Sequence, residues 1–195
     1  DEFFQQFGVT SGDIDQFKAE VESNMRRELD AALRSNLKSR IMHQLFQLHP
    51  IEIPEAQILG EIKTLKEQTL RQFGGGKEIN FDALPNEMFR GKAKYRAALG
   101  VIVSEALNAA SLSPDPDIVK NRITEIAQTY DQPQDVINYY YSKPELLSAI
   151  EASTMEEQLM EIVLTKAEVE EEVLPYKDAV KPDPEPNYSD LLKSD

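Results

Sequence analysis

Apolar residues recur at helical spacing along most of the chain. In the longest stripe they occupy every fourth position from Phe17 to Leu45. Four residues turn a helix by about 400°, so the stripe winds by about 40° per step and one straight neighbour cannot cover it. The stripe, with Pro50 beyond its end, predicts one helix over about 13–48 that is about 50 Å long. We expect an elongated body in which this spine helix meets different partners along its length.

The following segment predicts two helices joined by a glycine-rich connection. Pro54 favours the start of the first helix, the glycines at 74–76 favour its end, and Pro85 favours the start of the second. We expect these helices to form an antiparallel hairpin, arm 1, over about 54–111.

A Ser-Pro-Asp-Pro break at 113–116 separates arm 1 from a second helical region, arm 2, over about 114–166. Apolar spacing predicts a first helix that ends near Tyr130. Asp131 is a candidate cap for a short second helix, and Ser142 with Glu145 resembles a capping box for the last one. Arm 2 is therefore predicted to be a hairpin interrupted near its tip.

Three consecutive tyrosines, Tyr139, Tyr140 and Tyr141, lie in the short helix of arm 2. Successive side chains of a helix point about 100° apart, so the three rings cover most of the circumference. At least one ring should face outward, which is typical of a surface that contacts other polypeptides.

Residues 168–195 differ from the rest in composition, with nine acidic residues, three lysines and four prolines. Such a segment lacks the apolar surface that offsets the entropy of ordering, which predicts a mobile acidic tail. Strand-like character occurs only around 169–174. The predicted fold class is all-α, an elongated body built on the spine helix with two protruding helical-hairpin arms.

The charge balance restricts the partners. A formal net charge of −14 opposes phosphate backbones and anionic lipid surfaces, so neither nucleic acid nor a membrane is expected to bind. The chain has no cysteine, which removes disulfides and thiolate sites and suits a reducing compartment. No apolar run approaches the roughly 20 residues that cross a bilayer.

Motifs for catalysis, metals and cofactors are missing. His43 and His49 are six residues apart and match neither the zinc-protease motif nor the Glu-x-x-His repeats of di-iron bundles. The segment Gly74 to Lys77 lacks the spacing of a phosphate-binding loop and follows a helix rather than a strand. We therefore expect no enzyme active site, no metal and no cofactor in these residues.

The order and spacing of several short segments resemble the C-terminal chaperone domain of bacterial trigger factor, up to about Val169. The segments that carry the resemblance are Phe7-Gly8-Val9-Thr10, Ile51-Glu52-Ile53-Pro54, Phe73-Gly74-Gly75, Tyr130 to Tyr140, Glu156-Glu157-Gln158 and Leu164-Thr165-Lys166-Ala167.

The resemblance implies a cytoplasmic, all-helical domain whose two arms enclose a cradle for nascent or unfolded polypeptides, without ATP. The family's ribosome-docking loop and prolyl isomerase belong to an N-terminal domain and an FKBP-like domain that these residues do not include. Phe89 to Lys92 is similar to the docking loop, but it lies in a predicted helix and we interpret the similarity as coincidence.

The resemblance also implies a set of client-binding side chains in arm 2, namely Ile126, Tyr130, Val136 and Tyr139. Helical spacing alone adds four near the tip of arm 1, namely Phe73, Phe81, Met88 and Phe89. Apolar stripes on helices are usually core, so part of this set is expected to hold the hairpins together. An exposed cradle also invites homodimerisation.

Three other functions are alternatives to this interpretation. The first is an adaptor or scaffold whose hairpins dock one folded partner. The second is the helical chaperone module of periplasmic parvulin-type proteins. The third is a helical carboxylate metalloprotein, which would require stoichiometric metal after purification.

Overall fold

A computed structural model describes residues 14–73 and 84–188. The described residues form seven helices and no strand, which confirms the predicted all-α class. Residues 169–174 have no regular structure. The helices are α1 (Ile14–Leu48), α2 (Glu55–Phe73), α3 (Glu87–Ala109), α4 (Pro116–Ala127), α5 (Pro133–Ser142), α6 (Pro144–Leu164) and α7 (Tyr176–Ala179).

One compact unit combines α1 up to His43 with residues 170–186 of the tail. The Tyr176 hydroxyl of α7 donates a 2.5 Å hydrogen bond to Glu28. Asn36 donates to the carbonyl of Lys181 at 2.8 Å and accepts from the backbone N–H of Asp183 at 3.0 Å. This part of the tail therefore has defined polar contacts on α1. The predicted mobility of the whole tail stays a prediction.

Among the described residues, the second unit contains 44–73, 84–169 and 187–188, and its arm 1 consists of α2 and α3. Ile58, Ile62 and Leu65 of α2 form a buried cluster with Ala93 of α3. The carboxylate of Glu55 receives two hydrogen bonds from Arg90, of 2.6 and 2.7 Å. Apolar burial and this paired contact together hold the two helices side by side.

Two arginines of α3 bind polar side chains of α2. Arg90 pairs with Glu55, whereas Arg96, six residues later, pairs with Glu61 at 3.2 Å and donates to Gln68 at 3.1 Å. The antiparallel direction predicted for this pair stays a prediction.

Arm 2 consists of α4, α5 and α6, and each of these helices contacts the other two. Ile123 and Ala127 of α4 and Leu159 of α6 are buried between them. Arg122 also reaches Glu157 of α6 at 3.7 Å. Helix α3 contacts α6, so the two arms touch within this unit.

Two of the predicted helix caps in arm 2 are wrong. The N-cap of α5 is Gln132 rather than Asp131, and it makes no side-chain cap hydrogen bond. The N-cap of α6 is Lys143, while the Ser142 hydroxyl donates instead to the carbonyl of Tyr139 at 2.8 Å. Pro133 and Pro144 open the two helices, and they can do so without a side-chain cap because proline has no N–H to satisfy there.

Candidate functional site

Three tyrosines of arm 2 project into solvent. Tyr130, just after α4, is 57% exposed, and Tyr139 and Tyr141 on α5 are 55% and 46% exposed. A tyrosine ring left in water retains a large apolar area that another chain could cover. The prediction that at least one ring of the tyrosine run faces outward is therefore confirmed for two of them.

The inward face of α5 explains why these rings stay outside. Val136, Ile137 and Tyr140 are half-buried and lie within about 100° of one another around the helix. Tyr139 and Tyr141 flank this face on its two sides. Helix α5 has no fully buried residue, so it packs shallowly and leaves its flanks open.

The other predicted site residues have different surroundings. Ile126 and Val136 are half-buried, and Met88 is 72% exposed near the start of α3. Phe89 packs against the buried cluster of arm 1, which favours a structural role for it. Phe81 and the side chain of Phe73 lie outside the described residues. Ile126, Tyr130, Val136 and Tyr139 thus lie in arm 2 and Met88 lies in arm 1, and their role in binding clients stays a prediction.

Sequence reasoning did not find a groove between α2 and α3. The groove has a volume of about 590 Å³, and its floor includes Gly60 and Gly100. A Cβ atom added at either glycine would have no neighbour within 4 Å, so the two helices leave open space there. Val101 on its rim is exposed. A glycine inside each of two paired helices is the sequence signal for such a groove.

Helix α1 carries a second open groove in the other unit. Apolar side chains of Phe17, Val21, Met25 and Leu29 line it together with Tyr176 of the tail. Its volume is about 490 Å³. Within the predicted stripe, Ile41 is buried, and the exposed residues are Met25, Leu33 and Leu37. The remaining four stripe residues are half-buried.

Ion pairs and burial shift the pKa values of some described residues. Hydrogen bonding to Arg90 lowers the pKa of Glu55, and burial raises the pKa of the Tyr95 hydroxyl. No group of three or more potential metal ligands occurs among residues 14–73 and 84–188. Within the same ranges, no helix is both long and apolar enough to cross a bilayer.

Comparison with known proteins identifies close relatives. The family described as "Bacterial trigger factor protein (TF) C-terminus" matches residues 13–165. The chain is 42% identical over 188 residues to the trigger factor of Saccharophagus degradans, covering 93% of this chain and 42% of the relative. It is 41% identical over 181 residues to that of Alcanivorax borkumensis, covering 93% of this chain and 41% of the relative. A third relative, from Cellvibrio japonicus, is 43% identical over 183 residues, covering 92% of this chain and 42% of the relative.

The chain therefore spans about two fifths of the length of the curated relatives it matches. The match is to the C-terminal chaperone module, and the prolyl isomerase domain is not part of it. This confirms the prediction that the chain is not the isomerase of the family.

Proposed function

The chain belongs to the bacterial trigger factor C-terminal family, and from this premise we propose that it is an ATP-independent chaperone domain. In this proposal it binds nascent or unfolded polypeptides through apolar side chains of its arms and so prevents their aggregation. The observation that carries the proposal is the exposure of Tyr130 and Tyr139 in arm 2. They are large rings that the fold holds in solvent, Tyr130 just after α4 and Tyr139 on the shallowly packed α5.

The proposed mechanism is weak burial of client side chains at several places. Each exposed ring, and Met88 in arm 1, offers an apolar contact that tolerates many client sequences, because tyrosine is amphipathic and methionine is flexible. Several weak contacts on one domain raise the effective concentration of the client at each of them. A client is therefore held without any single tight contact and can leave as soon as its own core forms.

The high negative charge supports this role. A net charge of −14 opposes self-association of molecules that expose apolar surface, and it attracts basic clients over the domain as a whole. We propose a cytoplasmic location and contact with the ribosome only through parts of the protein outside this chain. Homodimerisation through the exposed arms is part of the same proposal.

The proposal is tested by replacing Tyr130 and Tyr139 with alanine and measuring suppression of aggregation of a chemically denatured client on dilution. Both rings are exposed, so the variant should keep its helical circular dichroism and lose several-fold in suppression. A matched control is Val173→Ser, which removes a 98% exposed apolar side chain from the tail. Equal suppression by the double variant and the wild type would remove this surface from the mechanism.

A second measurement separates the chaperone from an adaptor. A chaperone domain should bind several unrelated unfolded chains with similar affinity and release them when they fold. If the domain binds one folded protein and no unfolded chain, the adaptor function is correct and the proposal is wrong.

A further inference from the structure

A short segment of α3 is strongly basic, although the chain as a whole is acidic. Arg90, Lys92, Lys94 and Arg96 alternate with Gly91, Ala93 and Tyr95. On a helix, Gly91 and Lys92 lie on the same face as Tyr95 and as the exposed Met88. This face therefore combines positive charge, an aromatic ring, a flexible apolar side chain and a position without a side chain.

The tail residue Tyr188 lies on this face. Its ring centroid is 5.5 Å from that of Tyr95, with a 55° angle between the ring planes. The ammonium of Lys92 is 5.7 Å from the centroid of the Tyr188 ring, within the range of a cation–π contact. Tyr95 in turn makes an edge-to-face contact with Phe46 at 4.9 Å. Tyr188 thus completes a row of three aromatic rings.

Gly91 is required for this close approach. A Cβ atom at position 91 would lie 2.5 Å from the carbonyl oxygen and 2.9 Å from the Cβ of Tyr188. Both distances are too short for any side chain, and one of the contacting atoms is backbone. The backbone of the tail can therefore lie against α3 only because position 91 is glycine. We call Gly91, Lys92 and Tyr95 the aromatic seat.

The segment before Tyr188 has a composition that can hold an aromatic side chain in the aromatic seat. Prolines at 182, 184 and 186 alternate with Asp183, Glu185 and Asn187, and residues 182–187 have no regular secondary structure. Alternating prolines restrict the backbone to extended conformations and so reduce the entropy lost on docking. Asp183 of this segment is bound to Arg40 of α1, so the contact made at the seat itself is that of Tyr188.

We propose that the aromatic seat is a polypeptide-binding site that accepts an aromatic side chain at the end of an extended, proline-rich segment, and that Tyr188 occupies it in competition with clients. The tail is then a built-in occupant that a client must displace. This inference deepens the proposed function, on which it rests for the identity of the competing ligand.

Binding of a labelled peptide tests the seat directly. The probe is a fluorescent peptide with the sequence of residues 181–188, and titrations use the whole chain carrying either Tyr188 or Tyr188→Ala. Because an attached occupant competes at high effective concentration, emptying the seat should tighten peptide binding at least tenfold. Equal affinity for the two proteins would overturn the proposal.

Two glycine variants make the test specific for the seat. Adding Gly91→Ala to Tyr188→Ala should weaken binding at least tenfold, because the new methyl group occupies the space of the docked backbone. Gly100→Ala is the matched control on the same helix, since its Cβ atom would meet nothing within 4 Å. Both changes favour the helix, so neither should unfold the chain. Loss of binding in both variants, or in neither, would contradict the seat.

An altered peptide tests the ligand chemistry. Replacing the tyrosine of the peptide with alanine should abolish binding. If the alanine peptide binds as tightly as the tyrosine peptide, the seat does not recognise an aromatic side chain and the proposal is wrong. These titrations contain no unfolded client, so their result does not depend on the aggregation assay that tests the chaperone function.

Discussion

Arg40 of α1 and Asp183 of the tail form a two-point ion pair although 143 residues separate them. The guanidinium Nε is 2.5 Å from one carboxylate oxygen of Asp183, and Nη2 is 2.9 Å from the other. Asn36, one turn earlier on the helix, makes two hydrogen bonds with the backbone of the same tail segment. We call Asn36, Arg40 and Asp183 the tail clamp.

The tail clamp should open at low pH. The hydrogen bond from Arg40 holds the pKa of Asp183 below its ordinary value of 3.8. A carboxylate with a lowered pKa stabilises the folded form above its ordinary value, and this contribution is lost as the pH falls through the lowered pKa. The side-chain amide signals of Asn36 in NMR spectra should therefore stay constant from pH 7 to about 4 and move only below 3.8.

The matching variant is Asp183→Asn, in which the Asn36 signals should have their low-pH positions at every pH. Most of the Arg40 side chain is exposed, so we expect a loss of at most about 1 kcal/mol in the free energy of docking the tail. A midpoint at or above 3.8 in the unmodified chain would contradict a carboxylate stabilised by this pair.

The cap of α4 should contribute measurably to stability. The carboxylate of Asp115 accepts hydrogen bonds from the backbone N–H groups of Asp117 at 2.8 Å and Ile118 at 3.3 Å. Asp115→Ala should lower the free energy of unfolding in urea by about 1 kcal/mol. Asp131→Ala is the control, because Asp131 does not cap α5, and its effect should be within about 0.5 kcal/mol. Equal losses of unfolding free energy in the two variants would show that the hydrogen bonds of Asp115 do not stabilise α4.

The turn between α3 and α4 contains a strained residue. Ser111 has a φ of 53°, and its N–H donates to the carbonyl of Asn108 while that of Leu112 donates to Leu107. These two hydrogen bonds at the end of α3 require a left-handed backbone conformation at position 111. Glycine adopts that conformation without steric cost. Ser111→Gly should therefore raise the free energy of unfolding by about 0.5 kcal/mol, the relief of strain exceeding the added flexibility of the unfolded chain.

Ser113→Gly provides the comparison for that turn. Among the non-glycine residues that the structure describes, only Ser111 has a positive φ, so glycine at 113 relieves no strain. We expect this second variant to be slightly less stable than the unmodified chain in the same urea titration. A loss of stability in Ser111→Gly would mean that the serine is not strained there.

Helical periodicity predicted the helices well because it reports on the faces that each helix buries. The spine helix, expected over 13–48, is Ile14–Leu48, and the short tyrosine helix lies where its proline predicted. The caps of α5 and α6 were wrong because a capping motif in sequence does not fix the backbone. The residue that could cap α5, Asp131, lies one position too early.

Contacts between distant parts of the chain had no local signal. The pair of Arg40 with Asp183 joins two charged residues that look like any others in the sequence. Gly91 was visible as a glycine inside a predicted helix, but only the position of Tyr188 shows why it is there.

Exposure of individual apolar residues was the least predictable property. Met88 and Phe89 are adjacent and equally apolar, yet Met88 is exposed and Phe89 packs on the buried cluster of arm 1. Neighbouring positions of a helix point in different directions, and only the position of the partner helix decides which one is covered. The same reason leaves Tyr139 and Tyr141 exposed while Tyr140 packs inward.

The central claim is that the exposed tyrosines of arm 2 bind unfolded polypeptide. The most direct measurement is NMR chemical-shift mapping of the chain on addition of a reduced, alkylated protein that cannot refold. The claim predicts that signals of Tyr130, Tyr139 and Tyr141 shift or broaden, while those of the buried Ile123 and Ala127 stay unchanged. Unchanged tyrosine signals at a client concentration that suppresses aggregation would contradict it.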